Sequence, residues 1–346
     1  MTEFELIARY FTRANRSALL GNGDDCAIVA PSAGNAFAVT TDTLIVGRHF
    51  LPTLDPFKLG RRVVNVNFSD LAAMGAAPRY ALLSLTLPQI DEDWISRVSE
   101  GLWSVLDAYS VELIGGNTTK GPLAIAMTAF GELPPTAALK RSGARASDEL
   151  WVSGPLGDAG WALTSLMQDR AGAGALAFEA TAAQIEKYEC PVARVALGLA
   201  LRGIATSCID ISDGLLSEAK HLAKASGVGI DIDIDAIPTG IAHIDRGDVW
   251  SAARRMNLAA DDVERSELIL AQLAQTCILA TGDAYELLFT APHDQHDAVA
   301  AILKRENLPG ACIGRVTASD TTNPVRVLDA QSRVMDIEVK GWDHFA

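Results

Sequence analysis

The chain has 346 residues, 49% of them hydrophobic and 21% charged, with a formal net charge of −14. That composition belongs to a core-forming globular protein, and the length exceeds what one core usually serves, so two domains are expected. The acidic balance excludes a broad nucleic-acid-binding face, which needs basic residues to displace counterions.

The cysteines Cys26, Cys190, Cys208, Cys277 and Cys312 stand singly. No CxxC spacing points to zinc, and an odd count gives no disulfide framework, so they read as core thiols in a reducing compartment. The first residues lack the basic and apolar regions of a signal peptide. No run approaches the apolar length of a membrane span. The expected location is the cytoplasm, with no membrane partner.

In chain order, Phe4 to Phe11 repeats apolar positions at helical spacing. Ala36 to Thr41 reads as a buried strand that ends at Asp42. Asp55-Pro56 has the pattern of a helix start, and the helix is expected to run to Gly75 with Asn67 and Asp70 on one face. A strand over Ala81 to Leu87, a helix from Trp94 to Tyr109, the segment Glu112-Leu-Ile-Gly-Gly116 and a strand from Leu123 to Phe130 complete the first half. The composition changes after Pro134-Pro135, which divides the chain into residues 1–145 and 146–346. The second half opens with a strand over Glu149 to Ser153, the turn Gly154 to Gly160, and a helix. An Ala-rich segment, Ala171 to Ala183, is weakly patterned. A helix over Val192 to Leu201, a strand over Ala205 to Ile211 and a helix over Leu215 to Ala225 follow. Ile230, Ile232 and Ile234 alternate with Asp231, Asp233 and Asp235, the period of a half-buried strand. Strands and helices mix without a strict βαβ rhythm, so the expected class is α+β.

Four acidic stretches carry the chemistry: Gly23-Asp-Asp25, Thr40-Thr-Asp42, Asn67-Phe-Ser-Asp70 and Asp210-Ile-Ser-Asp-Gly214. Carboxylates among Gly, Ser and Thr supply the hard oxygens that magnesium prefers, and such ions accompany nucleotides in phosphoryl transfer. Taken singly, each has a plainer reading. Asp25 is then a solvated loop acid, Asp42 a turn cap, and Asp213 a helix cap. Asp70 is harder to explain away, because it lies late in a helix whose dipole opposes a carboxylate there. Gly154 to Gly160 lacks the Gly-Lys-Ser/Thr ending of a Walker motif, which excludes a P-loop.

Together, and in order, these stretches resemble the thiamine-monophosphate kinase family of the aminoimidazole-ribonucleotide-synthetase-like superfamily. The resemblance is carried by Gly23-Asp-Asp-Cys-Ala, Thr41-Asp-Thr-Leu with His49-Phe50, and Asn67-Phe-Ser-Asp-Leu-Ala-Ala-Met-Gly-Ala. It continues in Leu113-Ile-Gly-Gly-Asn-Thr-Thr-Lys, Arg141-Ser-Gly-Ala, Ile209-Asp-Ile-Ser-Asp-Gly-Leu, Gly282-Asp-Ala-Tyr-Glu-Leu and Lys340-Gly-Trp-Asp-His-Phe. It implies a two-domain fold whose N-terminal domain forms a β-barrel shared across a homodimer, with a C-terminal α/β sandwich. It also implies ATP-dependent conversion of thiamine monophosphate to thiamine diphosphate, by direct in-line transfer with several Mg²⁺ ions and no covalent enzyme nucleophile. On this chain it marks Asp25, Thr40, Thr41, Asp42, Asp70, Asn117, Asp210 and Asp213 for metal, and Tyr109, Gly116, Asn117, Arg141 and Ser212 for ATP. His49, Asp283 and Trp342 are marked for the thiamine substrate. Two positions depart from the family pattern: Asn117 stands where many relatives have Asp, and Ala284 where a second acid is common. The alternatives are another ATP-using enzyme of the superfamily, or a nucleotide-binding protein without turnover.

Overall fold

The computed structural model describes residues 2–171, 178–241, 260–319 and 323–337. The chain divides into two units, Met1–Leu139 with Glu189–Gly203, and Lys140–Tyr188 with Ile204–Ala346. Each mixes helices with a largely antiparallel sheet, as the α+β expectation requires.

In the first unit, Thr2 and Glu5 cap a short helix α1 (Glu3–Leu6), which widens into a π-turn over Ile7–Phe11. Strand β1 (Ala36–Ile45) follows. It is longer than the sequence implied, because it pairs with β4 (Ala124–Leu133) all the way to Ile45 opposite Ala124. Asp42 is therefore a mid-strand residue opposite Met127, not a strand end, and β1 is mostly half-exposed rather than buried. Strand β4 also pairs with β2 (Ala77–Leu87), and β2 runs parallel to β3 (Glu112–Lys120), giving the order β1-β4-β2-β3. One bulge interrupts the β2–β3 ladder after Ala81.

Helix α2 (Pro56–Ala73) starts where predicted: Asp55 Oδ1 accepts the Lys58 amide at 3.2 Å, and Pro56 takes the first helical position. It crosses α3 (Glu92–Ala108) at a pair of glycines. A Cβ on Gly60 would lie 2.0 Å from the Val98 carbonyl oxygen, and one on Gly101 would lie 1.9 Å from the Phe57 carbonyl oxygen. Only hydrogen side chains let these backbones meet.

The second unit contains β5 (Glu149–Val152), α4 (Asp158–Ala171), α5 (Ala182–Glu189, whose last residue belongs to the first unit), and β6 (Ser207–Asp210). Helix α6 (Val195–Ala200), between α5 and β6, also belongs to the first unit. The second unit continues with α7 (Leu215–Ser226), β7 (Gly229–Asp233), α8 (Ala260–Ala280), β8 (Leu287–Ala291), α9 (His296–Arg305), β9 (Ala311–Thr317) and β10 (Val325–Leu328). The sheet order is β10-β7-β9-β5-β8-β6. Leu215, Ala219, Leu222 and Ala223 of α7 pack into a core with Ile209, Leu288, Ile230, Ile232, Ile313 and Val327 of the strands. Burying this apolar stripe is the main reason the helix lies where it does. The half-buried reading of β7 is corrected at Asp231, which is 3% exposed. Arg326 of β10 holds it through two bonds of 2.7 and 3.0 Å, a bidentate pair that allows a carboxylate to be buried. The expected substrate residue Trp342 and the terminal Lys340 to Phe345 motif lie outside the described residues, as does part of the Ala-rich segment.

Candidate functional site

In the first unit the acids at 42 and 70 are organised by α2 and the outer edge of β1. Asn67, buried on α2, donates from Nδ2 to the Val63 carbonyl at 2.9 Å, and its Oδ1 accepts the Asp42 amide at 3.1 Å. A side-chain amide thus satisfies an edge-strand donor that no neighbouring strand reaches. One turn further along α2, Asp70 Oδ2 accepts the Thr40 hydroxyl. Thr40 and Asp42 are two apart in a strand and share a face. The shared face predicted for Asn67 and Asp70 is therefore what gathers Thr40, Asp42 and Asp70. Thr41 points to the opposite face, donating to the Met127 carbonyl at 3.0 Å and accepting from the Thr128 hydroxyl at 3.1 Å.

His49 closes the turn after β1, where its Nδ1 accepts the Ile45 amide at 3.1 Å. Gly116 and Asn117 are exposed residues of the edge strand β3, opposite Leu83 and Ser84 of β2. Tyr109 ends α3, with its ring edge-on to Phe68 at 5.4 Å. Burial raises its hydroxyl above the ordinary value against a smaller opposing pull from Arg194.

Asp24 and Asp25 are exposed, in a loop that the first unit grips from one side. Asn22 Nδ2 donates to the Leu113 carbonyl at 3.0 Å, and Leu20 bridges Ile28. Upstream, the Glu112 carboxylate accepts the Arg16 and Ser17 amides at 2.9 and 2.7 Å, the Ser17 hydroxyl at 2.7 Å, and the Ala18 amide at 3.4 Å. Burial pushes the Glu112 carboxyl up, but those hydrogen bonds outweigh it and leave it below the ordinary value.

In the second unit, two motifs distant in sequence lie side by side. The Ile211 amide donates to the Glu286 carbonyl at 2.8 Å, the Tyr285 amide to the Ile211 carbonyl at 2.9 Å, and the Asp283 amide to the Ser212 carbonyl at 2.9 Å. Asp283 and Tyr285 have φ of 65° and 49°, left-handed values unusual for such side chains, so the surrounding structure must over-determine them. Gly282 lies so close that a Cβ would sit 1.9 Å from the Ser212 carbonyl oxygen. Beneath the turn, Ser153 Oγ donates to Glu286 Oε2 at 2.5 Å and accepts the Leu287 amide at 2.8 Å.

This arrangement sets Asp210 (6% exposed), Ser212, Asp213 and Asp283 on one stitched pair of turns. Arg141 is an exposed connector residue, and its carbonyl accepts the Ser226 hydroxyl at 3.2 Å. Sequence reading did not place Glu218 here. The residue lies on α7 with its Oε1 accepting the Asp213 amide at 3.2 Å. Burial, foremost, pushes its carboxyl up to about 8; the Asp213 amide and the residue's own amide oppose the rise, while the charges of Asp213 and Asp210 add to it. The available signal was an acid at a helix position whose i−3 and i+4 neighbours, Leu215 and Leu222, are apolar. Asn67 carries the same signal on α2, among Val63, Val64, Val66 and Leu71.

A two-domain α+β protein with acidic turns of this kind invites comparison with known families, and two models match. The AIR synthase related protein N-terminal domain covers residues 23–133, and the corresponding C-terminal domain covers 145–325. The thiamine-monophosphate kinase of Salmonella typhimurium is 38% identical over 99% of this chain and 98% of its own. That of Escherichia coli K12 is 39% identical over the same shares. Among solved structures, a thiamine-monophosphate kinase from Stenotrophomonas maltophilia K279a aligns with a TM-score of 0.73 at 37% identity, covering 94% of both chains. AaThiL complexed with AMPPCP and TMP aligns at 0.69 and 28% identity, covering 91% of this chain and 89% of the other. The chain belongs to the thiamine-monophosphate kinase family of AIR synthase related proteins, and it is an enzyme of the kinase class.

Proposed function

We propose that the chain transfers the γ-phosphoryl group of ATP to the phosphate of thiamine monophosphate, giving thiamine diphosphate and ADP in thiamine diphosphate biosynthesis. The observation that carries this reading is the 38% and 39% identity, over 99% of the chain, to kinases named for that substrate. The complex of AaThiL with an ATP analogue and TMP supports it. A phosphate oxygen of thiamine monophosphate bonds to the γ-phosphorus while the bond to the β,γ-bridging oxygen breaks, and ADP leaves with the electron pair. The transfer is in-line and needs positioning and charge neutralisation, with no nucleophile from the enzyme.

Asp25, Thr40, Thr41, Asp42, Asp70, Asn117, Asp210 and Asp213 are assigned to Mg²⁺. The donor set fits that ion, being hard oxygens, except that the Thr41 hydroxyl is turned to the opposite face of β1 from Thr40 and Asp42. Among the described residues no three acidic, imidazole or thiol groups form a ready-made metal cage. Mg²⁺ is commonly held by one or two carboxylates, with phosphates and water completing the shell. When bound, it neutralises the charge of the phosphate chain. Tyr109, Gly116, Asn117, Arg141 and Ser212 are assigned to ATP, Arg141 as a fork for phosphate oxygens. His49, Asp283 and Trp342 are assigned to the thiamine substrate, where an indole face suits the thiazolium cation.

Residues 1–145 would carry the nucleotide and dimerisation functions, and 146–346 would complete the metal and substrate sites. The partner is a second copy of the chain, its first-unit sheet joining this one in a shared barrel. The outward face of β1, with Val39 57% and Ile45 42% exposed, supports that contact. The cytoplasm supplies both substrates, and among the described residues no helix is long and apolar enough to cross a membrane.

Incubation with ATP, Mg²⁺ and thiamine monophosphate should yield thiamine diphosphate and ADP in equal amounts, from a species that sediments as a dimer. Absence of product at every divalent-metal concentration would reject the reaction. A monomer at micromolar concentration would reject the barrel.

A further inference from the structure

Helix α7 buries a stripe of Leu215, Ala219, Leu222 and Ala223, and Glu218 occupies a position on that stripe where the period calls for an apolar residue. It is 2% exposed. Buried acids without a cationic partner are uncommon and need a reason. Glu218 Oε1 accepts the Asp213 amide at 3.2 Å, while among the described residues Oε2 has no hydrogen-bond partner. The helix beneath begins at Gly214, which has no side chain with which to cap it. Glu218, the fourth residue of the helix, reaches back to the amide just before the N-cap, one residue beyond the N-cap amide that the glutamate of a capping box takes.

We infer that Glu218 is a positioning residue for the acidic turn. By accepting the Asp213 amide it fixes the backbone that aims Asp213, and with it the adjoining Ser212 and Asp210. This inference rests on the assignment of Asp210 and Asp213 to a divalent cation under the proposed function. An alternative role as simple core filler does not account for a carboxyl there, since Leu would fill the same space without an orphaned oxygen. Partners behind metal ligands change metal affinity by about 10–100-fold when removed.

The experiment compares the full-length protein with Glu218→Leu and Glu218→Gln. Leu removes the acceptor and keeps the packing, whereas Gln keeps a carbonyl oxygen for the Asp213 amide. Three quantities are read: Mn²⁺ binding without substrates by electron paramagnetic resonance, hydrogen exchange at the Asp213 amide, and the division of any kinetic loss between kcat and the thiamine monophosphate KM. Glu218→Leu should bind Mn²⁺ about tenfold more weakly, exchange the Asp213 amide faster, and lose kcat with KM unchanged. Glu218→Gln should stay within about twofold of the parent on all three. Parent-like Mn²⁺ affinity in the leucine variant would overturn the inference. So would a tenfold loss in the glutamine variant, which carries the test alone if the leucine variant fails to fold. Should the parent make no thiamine diphosphate, the functional reading fails while the Mn²⁺ and exchange measurements still decide the role of Glu218.

Discussion

The turns at 22–26 and 210–214 have similar sequences, two acids beside small residues, yet the fold treats them oppositely. The second is held on both sides: Ile211 and Ser212 bond to the 283–286 segment, the Asp213 amide is taken by Glu218, and Asp210 is almost wholly buried. The first leaves Asp24 and Asp25 in solvent: its flanks are held by Asn22, by the Leu20–Ile28 bridge and by the Glu112 clamp on residues 16–18, while inside the turn the Asp25 amide donates to Asp24 at 3.0 Å. One carboxylate is held in place by the fold itself, and the other stands in solvent. Pre-organised charge stabilises a transition state without reorganisation at the moment of reaction, so the buried turn should matter more to rate.

The contrast is sharpest in turnover. Asp210→Ala should lower kcat by about 10²–10³-fold with the fold intact by circular dichroism, and Asp25→Ala by about tenfold, chiefly through a raised Mg²⁺ requirement. Equal losses in steady-state assays would erase the distinction. A smaller effect, on stability, follows from Gly282→Ala. The new methyl would sit 1.9 Å from the Ser212 carbonyl oxygen, so the two turns must separate, at a cost of about 1–3 kcal/mol in urea unfolding. No change in the midpoint would show that the stitch is loose.

The smallest effect concerns the other turn and depends on pH. Glu112 is held below its ordinary value of 4.5 when folded. Its contribution is therefore fully present above the unfolded value and lost as pH falls through the folded one. Amides of Arg16 and Ser17 should lose exchange protection as pH falls below the ordinary glutamate value and through the lowered folded one, and Glu112→Gln should flatten that profile. A parent profile without the drop would remove the clamp from the comparison.

Much of the architecture was written in local pattern. Asp55-Pro56 announced α2, and the common face of Asn67 and Asp70 was readable from helical spacing. What escaped depends on partners far along the chain. Asp42 looked like a strand terminus because its pairing with Met127 involves a segment 85 positions later in sequence. Asp231 alternated like a surface residue because Arg326, which neutralises it, arrives with the last strand. Glu218 went unremarked because a single acid in an apolar stripe has no meaning until the amide it reaches is known. The family resemblance supplied what spacing did not, including the proposed assignments of Tyr109, Arg141 and His49, which no period or charge pattern would single out.

The glycine crossing between α2 and α3 has a further consequence. With Gly60 and Gly101 each filled by the opposing backbone, α2 is indexed against α3 like a gear against its rack. Turning it by a single residue, about 100°, would drive a side chain into the Val98 carbonyl and swing Asp70 away from Thr40. The compass bearing of that carboxylate is therefore set about three turns earlier, at the contact with α3, by two residues that carry no functional group at all.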